Sequence, residues 1–132
     1  MPHIVLSGSI PLSNVFEHMY KILFKDQKSN IIVRIEKYFI NQPGDIILAK
    51  AVAVDQKPQS FYIMVTNKED KTTIRLDPIT DPEKTDGVKI ALALMAKRIQ
   101  EMEEAHNLYV SKTNIQEFID KLQGLHNARK SN

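Results

Sequence analysis

Four consecutive segments between Asn30 and Leu76 constrain this chain more than any other feature, because each is patterned as a β-strand. Asn30–Ile40, Asp45–Asp55, Ser60–Thr66 and Lys71–Leu76 draw heavily on β-branched and aromatic residues. They are separated by Gln42-Pro43-Gly44, Gln56-Lys57-Pro58 and Asn67-Lys68-Glu69-Asp70. Such residues reverse a chain through positive φ, fixed φ and local side-chain hydrogen bonds. The expectation is a four-stranded antiparallel meander.

Both faces of this meander carry apolar residues. Ile31, Val33 and Ile35 point one way, with Ile32, Tyr38 and Ile40 opposite. Ile46, Leu48, Val52 and Val54 share a face, with Ile47, Ala49, Ala51 and Ala53 on the other. Phe61, Ile63 and Val65 stand against Tyr62 and Met64. An antiparallel sheet with one wet face alternates apolar and polar residues, so the second face is expected to be covered at least in part. The segment Lys71–Leu76 keeps only Ile74 and Leu76 as large apolar residues, and its polar flanks suit an edge strand. The small residues Ala49, Ala51 and Ala53 allow close approach by a helix, a ligand or a second subunit, with helix packing the leading reading.

The flanking segments look built to cover this sheet. His3–Ile10 reads as a first strand that Ser7-Gly8-Ser9 can bend, and Pro11 ends it. Ser13 or Asn14 can cap a following helix, in which Val15, Phe16, Met19, Ile22 and Leu23 form one stripe. Beyond a linker bracketed by Pro78 and Pro82, Asp81-Pro82-Glu83 carries helix-start signals, with Thr85 or Asp86 as a later start. That long helix is expected to reach about His106. Its continuous apolar face is Val88, Ala91, Leu92, Met95, Ile99 and Met102.

Thr113 and Gln116 have capping-box spacing before a third helix with Ile115, Phe118, Ile119, Leu122 and Leu125 on one side. This helix is a candidate cover for the second sheet face, in its own subunit or a partner's. The whole reads as one α+β domain over residues 1–126, with a mobile tail over 127–132.

Composition removes several classes of chemistry. The 132 residues include no cysteine, which excludes disulfides, thiolate metal sites and thiol nucleophiles. The net charge of +2 comes from mixed signs along the whole chain, so no block of like charge marks an interaction tail. No run approaches the roughly 20 apolar residues of a membrane span, and Met1-Pro2-His3-Ile4 does not open a signal peptide. A cytoplasmic protein is expected.

His3, His18, His106 and His126 are scattered and lack metal-ligand spacing, and no G-x-S-x-G is present. Asp77, Asp81 and Glu83 suit turns and caps. No catalytic centre, metal or cofactor is expected.

The order of elements resembles one copy of the TATA-binding-protein-like fold, and that of the START/Bet v 1-like helix-grip proteins. The text that carries the likeness is the strand from His3 to Ile10, then Pro11, then Val15-Phe16-Glu17 on a helix. The resemblance covers about residues 3–106 in order of elements and some fifteen residues in text. It implies a sheet gripping a long helix. The chain lacks the helix and strands that helix-grip proteins insert after the first helix. It also lacks the paired phenylalanines of a minor-groove wedge.

Three functions remain open. The first is a non-enzymatic interaction module, a homodimer or a partner for another protein, meeting its partner through the third helix or the second sheet face. The second is a carrier of a small apolar ligand. Ala49, Ala51, Ala53, Val88, Leu92, Met95, Ile99, Phe118 and Leu122 are the candidate apolar surface for either. The third is a single-stranded nucleic-acid binder, with Arg34, Lys37, Tyr38, Lys50 and Tyr62 as a basic and aromatic platform.

Overall fold

The protein is an α+β structure in which a curled, half-barrel antiparallel sheet of seven strands holds three helices. The computed structural model describes residues 1–130. The strands are β1 (His3–Leu6), β2 (Ile22–Asp26), β3 (Ile31–Ile40), β4 (Ile46–Val54), β5 (Pro58–Lys68), β6 (Lys71–Leu76) and β7 (Val110–Thr113). The helices are α1 (Leu12–His18), α2 (Asp86–Met102) and α3 (Gln116–Lys130). The sheet order is β2-β3-β4-β5-β6-β1-β7. The expected meander is therefore its centre, extended on both sides.

Two strands replace other expectations. The apolar stripe placed on one long first helix breaks at Met19, and Ile22–Asp26 pairs with β3 instead. Ile22 and Phe24 turn toward the core while Leu23 and Lys25 turn outward, which is the period of a strand. A short apolar run fits both periods in sequence, and the free side of β3 decided between them. Residues 110–113, of which only Thr113 carries an expected role, as a helix cap, form β7 on the far side of β1. Because β1 pairs with β6, the segment Lys71–Leu76 lies inside the sheet and is not an edge. Its Thr72 is fully buried, and its hydroxyl, with one proton to donate, lies 2.8 Å from both the Gly8 carbonyl and Asn67 Oδ1.

Helix α2 fills the curl. Val88, Leu92, Met95 and Ile99 have no accessible surface, and neither have Ala49, Ala51 and Ala53 on β4. A Cβ added to Gly87 would meet Ala53 Cβ at 3.2 Å, so the small residues are what let the helix come close. The helix begins at Asp86, at the later of its two expected starts, and Thr85 caps it with a hydroxyl that accepts from Val88 N.

Helix α3 was the candidate cover for the second sheet face, and it lies elsewhere. It packs on α2, where Lys89 Nζ stands 5.5 Å from the Phe118 ring centre. It follows directly on β7 at one edge, and its Lys121 reaches Asp26 on β2 at 3.3 Å. The helix thus bridges the two edges of the curl over α2. It continues to Lys130, past Asn127, where the tail was expected to begin, and residues 131 and 132 lie outside those described.

Candidate functional site: the open face of the sheet

All three helices lie on the inner side of the sheet, so among the described residues no element covers the outer side. A β-bulge in β3 determines which side chains stand there. Ile35 faces Ala51 and Lys37 faces Lys50, which leaves Glu36 as the extra residue. A one-residue slip of this kind exchanges the faces of everything beyond it. Tyr38 and Ile40 therefore turn inward, against the sequence-based assignment, and Lys37 and Phe39 turn outward.

Tyr38 is accordingly not part of an exposed platform. Its hydroxyl donates to the Tyr20 carbonyl at 3.0 Å, and burial pushes its pKa up to about 12 against the pull of Arg98. The Arg98 guanidinium lies over the Tyr20 ring at 4.3 Å. The alternation pattern assigned Tyr38 to the outer face, and no residue pattern in the text marked Glu36 as a bulge.

The other four residues expected to bind nucleic acid, Arg34, Lys37, Lys50 and Tyr62, do share the outer face. Sequence reasoning missed Phe39, which stands half exposed and leans over β4 toward Tyr62. The two ring centres are 6.4 Å apart and inclined by 54°. In register with Phe39 lie Leu48, Met64 and Arg75 on the next three strands. The Arg75 guanidinium rests 3.8 Å from Met64 Sδ, so its stem extends the apolar strip. Ile32, Val52, Val54 and Leu23, the last 70% exposed, complete an apolar floor.

Around this floor the charge is of one sign. Lys25, Arg34, Lys37, Lys50, Lys68, Lys71, Arg75 and Lys112 occupy outward strand positions. The one acidic strand residue there is the bulge residue Glu36, 3.8 Å from Lys21 and 3.9 Å from Arg34. Glu69 and Asp70 follow in the hairpin turn between Lys68 and Lys71. Two lysine pairs face each other directly across neighbouring strands, Lys37 with Lys50 and Lys68 with Lys71. Like charges in that position oppose folding.

The nine candidate apolar residues have a different fate. All are buried within the subunit, Phe118 at 6% and Leu122 at 4% accessibility against α2. A groove of roughly 680 Å³ does run between α2, β7 and α3, floored by Ala93, Ala96, Leu108, Val110, Ile119 and Leu122. Only Leu122 of the nine lines it.

Among the described residues no three His, Asp or Glu side chains converge where a metal ion could be held. His106 pairs with Glu103 at 2.9 Å, well apart from the sheet face. No described helix is long and apolar enough to cross a membrane. No protein-family model, curated protein or solved structure matches this chain.

Proposed function

We propose that the chain is a binding protein whose open sheet face takes up single-stranded nucleic acid. The observation that carries this reading is a helix-free face with eight Lys or Arg at outward strand positions against one Glu, including two lysine pairs held face to face. Holding cations together this way costs folding energy, and a polyanion laid across them returns it while releasing its counterions.

The aromatic and apolar floor selects the kind of polyanion. Phe39 and Tyr62 offer ring faces, and each base of an unpaired strand has a face to stack on them. A duplex hides those faces and would press phosphates onto Leu48, Val52 and Met64, desolvating charge against hydrocarbon.

The same face suits a homodimer poorly, because a two-fold contact would set its lysines against their own copies. A carrier of an apolar molecule between sheet and long helix finds little support, since Val88, Leu92 and Met95 close directly on the alanine strip.

Fluorescence anisotropy with labelled oligothymidylate tests the reading. Base stacking on an aromatic side chain contributes about 1–3 kcal/mol. The Phe39→Ala and Tyr62→Ala variants should therefore each bind roughly 5- to 100-fold more weakly, while the lost ring pair lowers folding stability by only about 0.2–1 kcal/mol. Unaltered affinity in both variants would contradict it. So would binding to anionic vesicles or acidic protein with none to the oligonucleotide.

A further inference from the structure

Five cations of the open face fall on the two sides of Tyr62, which stands on β5. Lys37 and Lys50 lie on β3 and β4, while Lys71 and Arg75 lie on β6 and Lys112 on β7. Phe39 on β3 and Tyr62 on β5 meet over β4, beside Lys50. Neighbouring strands are about 4.8 Å apart. The step from β3 to β6 is therefore roughly 14 Å, and that from β4 to β7 roughly 19 Å.

Resting on the reading above, we infer that the ligand is a strand of at least four to six nucleotides that crosses the sheet and is gripped at both flanks. A stacked strand advances about 3.4 Å per nucleotide, so the across-strand component of 14–19 Å alone takes roughly four to six of them, to which the register adds the offset of Lys71 and Lys112 along the strands. A di- or trinucleotide stacked on Phe39 and Tyr62 lies within reach of Lys37, Lys50 and Arg75, the last on the strand beside Tyr62, and stops short of Lys71 and Lys112. The central rings then hold bases while the two flanks hold the backbone on either side, and the second flank adds affinity only to ligands long enough to arrive there. The cations of the far flank are available for phosphates, since among the described residues Lys71 and Lys112 make no ion pair within the chain.

A length series of oligothymidylates from two to twelve residues tests this, with NMR shifts reporting the weak short complexes and anisotropy the longer ones. For the unaltered protein, affinity should rise at least tenfold between the trimer and the hexamer. In a Lys71→Ala, Lys112→Ala double variant that rise should disappear, while trimer affinity stays within twofold. A trimer that binds as tightly as the hexamer would overturn the two-flank inference and leave the single-strand reading standing. A double variant that keeps the full rise would do the same. Absence of binding at every length would overturn both.

Discussion

At the scale of single residues, Asp55 is the fastening between sheet and long helix. Its carboxylate accepts from Thr85 Oγ1 at 2.8 Å and from Gly87 N at 3.0 Å, where the helix dipole also favours a negative charge. Gly87 has no room for a side chain, since an added Cβ would run into that carboxylate. Replacing Asp55 with Ala leaves the half-buried hydroxyl and N–H without this partner and should cost about 1–3 kcal/mol. The same change at the exposed turn residue Asp70 should stay within about 0.5 kcal/mol, and urea unfolding of both variants checks the contrast. Tyr38 gives a second residue-scale prediction. Its folded pKa stands near 12, against about 10 in the unfolded chain, because burial disfavours the phenolate. Its contribution to stability should be complete below pH 10 and decline as pH rises from there toward 12. Tyr38→Phe should remove that decline, which urea unfolding across this pH range would show.

At the scale of elements, the text was legible where a pattern ran long enough to settle its period. The four central strands, the long helix and the role of the alanine strip all follow from residue patterning. Two things did not. Met19 to Lys25 fits a helical stripe and a strand almost equally, and only the free side of β3 makes it a strand. The bulge at Glu36 leaves no mark in composition, yet it decides that Phe39, and not Tyr38, joins the open face. Four of the five candidate residues therefore share the outer face, and the aromatic partner of Tyr62 was missed. The bulge also sets Lys37 opposite Lys50, which yields a prediction that separates stability from binding. Lys37→Glu turns a repulsive cross-strand pair into an attractive one, so it should raise stability by about 0.2–1 kcal/mol. The same variant should bind oligonucleotide at least tenfold more weakly. A variant weakened in both respects would show that Lys37 serves the fold and not the ligand.

At the scale of the whole molecule, the fold gathers basic charge on one face. Behind the sheet the signs are mixed, with Glu101, Glu104, Glu117 and Asp120 beside Lys89, Lys97, Arg98 and Lys121 on α2, the turn after it and α3. The outward strand positions are almost wholly basic, and the near-neutral total conceals this concentration. Sequence could not reveal it, because residues of opposite sign alternate along the chain and separate only when the sheet curls around α2. Helix α3 completes the arrangement by bridging β7 to β2 through Lys121 and Asp26, leaving the outer face free. The central claim is that this face binds a single strand through its cations. The most direct test is the affinity for a dodecathymidylate measured between about 50 and 200 mM salt. With four to six phosphates engaged, log affinity should fall with log salt at a slope of about −3 to −4. A flat dependence, or no binding at the lowest salt, would contradict the account.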